Sequence, residues 1–146
     1  MRYPFGGPAE EKMRIWKIVF ALAALTNLVV GLGLLVDAGH YAAEIGVAGP
    51  AASFVVGFAG LVIAVFGVSY ALVALDPIAN RPLVVIGALG KGAAVVLTSW
   101  HALAGHIPNN IYVTMMGDLV WAVVFVVFLQ QTRVRLTAPS PARGST

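Results

Sequence analysis

The chain alternates long apolar stretches with short polar ones. No Asp, Glu, Lys or Arg occurs over residues 18–36, 45–75 or 92–117. Uncharged, mainly apolar runs of roughly 18 residues or more are typical of membrane-spanning helices. We therefore predict an all-α integral membrane protein in which residues 1–136 form one four-helix transmembrane domain. The predicted spans are about 13–36, 53–75, 83–104 and 111–132, and the Pro- and Ser-containing segment 137–146 is predicted to be disordered.

Proline and glycine mark where the predicted helices begin and end. Pro8 suits the first turn of a helix, and Asp76-Pro77 predicts a helix end because the residue before proline is driven out of helical geometry. Pro82 opens the next helix, so the second and third spans are predicted to form an antiparallel hairpin with a very short link. Residues 37–49 are predicted to be a polar, glycine-rich loop, and residues 106–110 a turn.

The distribution of basic residues predicts the orientation. Lys and Arg occur before the first span or at its start, in the second link and after the fourth span, and the first and third loops contain neither. The positive-inside rule then predicts an antiparallel bundle with both termini in the cytoplasm, in a bacterial inner membrane. The N-terminal apolar stretch is predicted to be a retained helix, because it is too long for the apolar region of a secretory signal.

Composition agrees with this class and excludes others. Only 10% of the residues are charged, against about 25% in a typical soluble domain, so the polar surface is too small to cover a globule in water. The net charge of +3 resides in the tails, which favours contact with anionic lipid over nucleic acid. Cysteine is absent, which excludes disulfides and thiolate sites.

A stripe of small residues follows one face of the second predicted span, at alternating spacings of four and three. Small residues allow the backbones of two membrane helices to approach closely. The partner of this stripe is predicted to be either another helix of the chain or another subunit. Its members are Ser53, Gly57, Gly60, Ala64, Gly67, Ala71 and Ala74.

Two charged residues lie inside predicted spans and away from their ends, Lys91 in the third and Asp118 in the fourth. A rise of about 1.5 Å per residue places Asp118 roughly level with Asn27, Thr98 and Ser99, and Lys91 roughly 10 Å deeper. These five residues are the candidates for a ligand or ion path. The alternatives are a buried ion pair that locks two helices together, or a lysine that extends to the cytoplasmic interface.

The histidines cluster near the predicted outer surface. His40 and Glu44 are four residues apart, so a short helix would place both on one face as potential metal ligands. His101 and His106 are five apart and are not expected to share a helix face. These four residues are weak candidates for a metal or haem site, and solvated loop residues are the alternative.

Three segments carry a family resemblance. They are the hairpin of residues 70–82, the segment Gly87–Lys91, and the Gly117-Asp118-Leu119 sequence that opens a Phe-rich last span. Over residues 53–129 the chain resembles small four-helix bacterial membrane proteins of the DoxX-like kind. The resemblance implies an inner-membrane protein, and some members of that group are subunits linked to quinone-dependent sulfur oxidation.

Three functions are consistent with this sequence. The favoured hypothesis is a non-enzymatic accessory or assembly subunit, in contact with lipid and with other membrane subunits or further copies of itself, because the chain has a small-residue stripe and little soluble mass. The second is a proton or small-solute transporter or channel that uses Lys91 and Asp118. The third is a haem- or quinone-binding redox subunit. No nucleotide-binding or hydrolase motif is present, so the sequence assigns neither a catalytic residue nor a cofactor.

Overall fold

The computed structural model describes residues 7–107 and 109–133, and every regular element in that part of the chain is helical. The segments Glu10–Val36, Ala52–Leu75, Arg81–Leu103 and Ile111–Arg133 are long and apolar enough to cross a membrane, which confirms the prediction of an all-helical chain with four potential spans. The predicted disordered segment 137–146 lies outside the described residues. The helices are α1 (Pro8–Val36), α2 (Ala38–Glu44), α3 (Ala52–Leu75), α4 (Arg81–Leu103), α5 (Asn109–Met115) and α6 (Gly117–Arg133).

Two segments differ from the sequence prediction. The predicted loop over residues 37–49 contains α2, which buries Ala42 and packs against α3. The predicted single span over residues 111–132 is interrupted at Met116, whose backbone N–H donates to the carbonyls of Tyr112 and Val113 at 3.1 and 3.2 Å. A new helix, α6, then begins at Gly117, so the interruption falls directly before Asp118.

Helices α1 and α3 pack along their small residues. A Cβ atom on Gly31 of α1 would lie 2.5 Å from the Ala64 backbone nitrogen and 2.7 Å from the Gly60 carbonyl oxygen. A Cβ atom on Gly67 would lie 2.8 Å from Cγ of Leu28. The two backbones are therefore so close that a methyl group would not fit between them, which is the packing that small residues permit in membrane helices.

The partner of the small-residue stripe is consequently α1 of the same chain. Gly57, Gly60, Ala64 and Gly67 are buried, while Ala71 and Ala74 are partly buried against the core and Ser53 is exposed. The pattern identified a close helix contact, and the structure assigns that contact to the fold itself.

Side chains of the link between α3 and α4 form hydrogen bonds with backbone groups of the link and of the end of α3. The Asp76 carboxylate accepts hydrogen bonds from the backbone N–H groups of Ile78 and Ala79 at 3.1 and 3.0 Å. The Asn80 amide donates to the Leu72 carbonyl at 3.0 Å and to that of Asp76 at 3.1 Å. Carbonyls at the end of α3 thus obtain partners, as helix ends require.

Arg81, the first residue of α4, connects this link to the end of α6. Its Nε donates to the Thr132 hydroxyl at 3.1 Å, and its Nη2 donates to the Leu129 carbonyl at 3.0 Å. Thr132 is buried. Sequence reasoning used Arg81 only to orient the chain, and its role as a link between two helices became visible only in three dimensions.

The core beside this link consists of packed aromatic rings, which we call the aromatic cluster. Its rings come from α1, α3 and α6, and their centroids lie 4.9–6.2 Å apart in the contacting pairs. Tilted and edge-on arrangements at such distances are favourable for aromatic pairs. Four of the rings are at most 1% exposed. The members of the cluster are Trp16, Phe20, Tyr70, Phe125 and Phe128.

Candidate functional site

Lys91 and Asp118, which lie away from the ends of their potential spans, form an ion pair. Nζ of Lys91, on α4, donates to Oδ1 of Asp118, in the first turn of α6, at 2.6 Å. The side chain of Lys91 is 9% exposed and that of Asp118 is 32% exposed. The lysine is therefore enclosed, while part of the carboxylate remains accessible.

The position of Asp118 suits a carboxylate for a local reason. Helix α6 begins one residue earlier, at Gly117, and the first turn of a helix presents unpaired N–H groups and the positive end of the helix dipole. Because α5 ends at Met115, this helix start lies within the segment that the sequence predicted to be one continuous span. Asp118 therefore lies in the first turn of a helix as well as opposite Lys91.

The pairing of Lys91 with Asp118 is the ion-pair alternative that the sequence left open, and it bridges a difference in depth. The calculation from helical rise placed the two residues roughly 10 Å apart in depth. It used backbone positions in one straight helix, whereas lysine carries its charge on a flexible four-carbon stem and the last span is interrupted beside Asp118. The structure accordingly directs Lys91 to Asp118, and not to an interface.

A cavity of about 340 Å³ lies beside the ion pair. Its volume is within the range of small-molecule sites in proteins. Each of the four segments that could span a membrane contributes to its wall. The lining residues are Thr26, Asn27, Val30, Val62, Ile63, Phe66, Tyr70, Gly87, Gly90, Lys91, Ala94, Met115, Gly117, Asp118 and Trp121.

Polar groups occupy a small part of this wall. Lys91 and Asp118 provide its charges, and Asn27 provides an amide whose nitrogen donates to the Ala23 carbonyl at 2.9 Å. Phe66 and Trp121 contribute aromatic surface. Mainly apolar walls with a few placed polar groups are characteristic of sites that bind small organic molecules.

Tyr70 belongs to both the cavity and the aromatic cluster. Its ring contacts α4 where Gly87 has no side chain, since a Cβ atom on Gly87 would lie 2.7 Å from the Tyr70 hydroxyl oxygen. The same ring lies 4.9 Å from that of Phe125, centroid to centroid. Tyr70 therefore forms the part of the cavity wall that adjoins the aromatic cluster.

The structure brings together only part of the predicted polar set. Asn27, Lys91 and Asp118 line one cavity. Thr98 is buried and Ser99 is half-buried, but neither lines it. Sequence reasoning missed Phe66 and Trp121 as site residues, because an aromatic residue in an apolar helix looks the same whether it faces lipid or a cavity.

The histidine candidates form two separate pairs. His40 and Glu44 share a face of α2, with 4.0 Å between Nε2 and Oε2, and both are well exposed. Nδ1 of His101 lies 3.2 Å from Nδ1 of His106. As expected, these two histidines do not share a helix face, because His106 follows the end of α4, and the chain reversal there brings their rings together. No group of three or more His, Asp or Glu side chains placed to hold a metal ion occurs within residues 7–107 and 109–133.

Comparison with known proteins identifies no relative. No protein-family model matches the chain, and neither the curated proteins nor the solved structures include a match. The DoxX-like resemblance therefore stays a prediction.

Proposed function

We propose that the protein is a small-solute transporter of a bacterial cytoplasmic membrane, with its binding site in the cavity beside Lys91 and Asp118. The observation that carries this proposal is an ion pair in a mainly apolar cavity to which all four long helical segments contribute. Ionisable groups within membrane helices are costly and are commonly found along substrate and ion paths.

The proposed topology has four antiparallel spans and cytoplasmic termini. Contacts between α1 and α3 support the antiparallel arrangement, because Leu35 lies near Gly57 whereas Leu28, earlier in α1, lies near Gly67, later in α3. The short link between α3 and α4 supports it for the next pair. Basic residues lie near both termini and at this link, and the positive-inside rule places such residues in the cytoplasm, which supports the proposed orientation.

The chemistry of the wall favours a neutral solute with an apolar body and one hydrogen-bonding end. Lys91 and Asp118 neutralise each other, so a solute that carried a net charge would have to disrupt the pair or enter an apolar cavity uncompensated. An ammonium group has three donors, of which Asp118 takes one. A carbonyl or hydroxyl oxygen on the solute would accept another, while Phe66 and Trp121 contact its body.

In this proposal a solute leaves the cavity past the aromatic cluster, because Tyr70 lines the cavity and its ring packs on Phe125 of that cluster. Helix α1 packs most extensively with α3, and α4 packs extensively with α6. We propose that these two pairs move relative to one another, which would open the cluster while each pair stays intact. Rigid rocking of two helical bodies around a central site is the usual principle of secondary transport.

Four spans are few for a transport path, so a second copy of the chain is part of the proposal.

The accessory-subunit hypothesis stays a prediction. Its main support was the small-residue stripe, and the buried part of that stripe packs against α1 of the same chain. A partner subunit would therefore have to use another surface. The quinone hypothesis also stays a prediction, and it overlaps with the proposal because a quinone is a neutral ring with carbonyl acceptors.

Fluorescence of Trp121 offers a direct binding test, because this side chain lines the cavity. Trp16→Phe and Trp100→Phe leave Trp121 as the reporter. We expect saturable quenching by a short-chain benzoquinone, and binding at least tenfold weaker for benzylamine and benzoate, which carry a charge. Lys91→Met should raise the Kd for the quinone at least tenfold, because a donor is lost.

Uptake into liposomes tests transport separately. The parent protein should accumulate the radiolabelled form of the probe that binds best, and Lys91→Met and Asp118→Asn should abolish uptake. Ser69→Ala is the matched control, because Ser69 does not line the cavity and donates its hydroxyl hydrogen to the Val65 carbonyl at 3.0 Å. Uptake equal to that of protein-free liposomes, or unchanged in both charge variants, would refute the proposal.

A further inference from the structure

A second potential site lies at the end of α4, away from the cavity. Gly105 adopts a positive φ of +71°, and its N–H donates to the Ala102 carbonyl at 3.0 Å. The N–H of His106 donates to the His101 carbonyl at 2.9 Å. This pair of hydrogen bonds is the Schellman motif, in which a left-handed glycine turns the chain back over the last helical turn.

This turn explains why two histidines five residues apart meet. In a Schellman motif the residue after the glycine lies against the residue whose carbonyl it caps, and here these are His106 and His101. Their Nδ1 atoms are 3.2 Å apart, and their ring centroids are 5.4 Å apart. His101 is half-buried and His106 is exposed, so the pair is held by the backbone and remains accessible from outside.

The distance between the two nitrogens matches that of two ligands on one metal ion. Histidine nitrogens bind Zn²⁺ at about 2.0–2.1 Å, so two of them at tetrahedral or right angles are separated by about 3 Å. Without a metal, one Nδ1 must carry a hydrogen and donate it to the other. A cation can replace that shared hydrogen with little movement of either ring.

We propose that His101 and His106 bind a borderline transition-metal ion, such as Cu²⁺, Ni²⁺ or Zn²⁺, through their Nδ1 atoms. Imidazole suits these ions, and among them Cu²⁺ binds most tightly to a given nitrogen site. The chain supplies two ligands here, so water or an external ligand fills the remaining positions. The site is independent of the cavity and of the proposed transport.

His40 provides the matched control. It pairs with Glu44 at 4.0 Å on a single helix face, and both side chains are more than half exposed. A site of mere surface histidines would involve His40 as readily as His106. The proposed site depends instead on the chain reversal at Gly105.

The test is Cu²⁺ titration of the full chain, purified without a polyhistidine tag and followed by electron paramagnetic resonance. One equivalent should show hyperfine coupling to two imidazole nitrogens. His101→Ala and His106→Ala should each weaken binding at least tenfold and leave coupling to one nitrogen, whereas His40→Ala should bind as the parent does. Gly105→Ala should weaken binding several-fold, because an alanine disfavours the left-handed turn.

Circular dichroism and the elution volume on gel filtration establish that each variant is folded. The proposal is wrong if the His101 and His106 variants retain the parent affinity, or if the loss falls on His40→Ala instead. Coupling to a single nitrogen in the parent protein would also refute it, because it would leave the two rings as a hydrogen-bonded pair only.

Discussion

The α1–α3 contact and the α4–α6 contact hold helices together by opposite means. In the first, the contacting residues have little or no side chain, so the backbones lie against each other, as at Gly31 against Gly60 and Ala64. In the second, charged side chains reach across, from Lys91 to Asp118. The first contact relies on close van der Waals packing, and the second on electrostatic attraction between groups that are expensive to bury.

The difference determines where a site can form. Backbones in close contact leave no space for a third molecule, so the α1–α3 contact is structural. An ion pair keeps the backbones of its two helices apart by the length of the paired side chains. It also places polar groups in an apolar region. The cavity lies beside this ion pair, with side chains of α1 and α3 completing its wall, and the Asp118 carboxylate is partly exposed.

Removing one charge from the α4–α6 contact should have the largest effect. Asp118→Ala leaves the buried Lys91 ammonium without its counter-charge, which typically costs about 3–5 kcal/mol. Unfolding by sodium dodecyl sulfate in mixed micelles, followed by circular dichroism, measures this loss. The double variant Lys91→Met with Asp118→Leu removes both charges and should recover most of the stability. Equal losses in the single and double variants would show that the ion pair does not hold this contact.

Adding a side chain to the α1–α3 contact should have the next largest effect. Gly31→Val inserts carbon atoms where the backbone of Ala64 already lies, and overpacking of this kind costs about 1–3 kcal/mol. Gly33→Ala is the control on the same helix, because its Cβ atom would lie 3.5 Å from the nearest atom, the Tyr41 hydroxyl oxygen. The same unfolding assay should show a loss for the valine alone. Similar stabilities for both variants would mean that α1 and α3 separate easily.

Weakening the second polar connection between α4 and α6 should have the smallest effect. Arg81→Lys cannot reproduce the two hydrogen bonds to Thr132 and Leu129, and we expect a loss of about 1 kcal/mol. Thr132→Val removes one acceptor while keeping the shape of the side chain. In a double-mutant cycle the two changes should be less than additive, because they affect the same bond. Full additivity would indicate that Arg81 acts independently of Thr132.

Much of the architecture followed from local pattern. Four potential spans, the helix end before Pro77 and the close packing on one side of α3 could be derived from hydropathy, proline geometry and the spacing of small residues. Those features depend on neighbours along the chain. The sequence predicted a loop in place of the short helix α2 and a continuous span across Met116. A helix of seven residues is too short to show a clear hydrophobic period, and an interruption of one residue does not disturb the period of the span around it.

The candidate site was harder to predict than the fold. Lys91 and Asp118 stood out because charge is rare in apolar helices, but their pairing depends on the direction of a flexible side chain and on how α4 lies against α6. The meeting of His101 with His106 required the turn at Gly105, for which a sequence signal existed in the glycine that follows the helix.

The sequence by itself determined that the chain is helical, that four segments can span a membrane and that Lys91 and Asp118 lie away from the ends of two of them, because these are properties of single segments and of their transfer from water to an apolar medium. The tertiary structure alone decided that the small-residue stripe packs against α1, that Lys91 meets Asp118, and that Phe66, Tyr70 and Trp121 surround a cavity beside them. Those outcomes depend on which helices are neighbours. Hydropathy does not predict the neighbours, because lipid and an adjacent helix are equally apolar surroundings for a side chain.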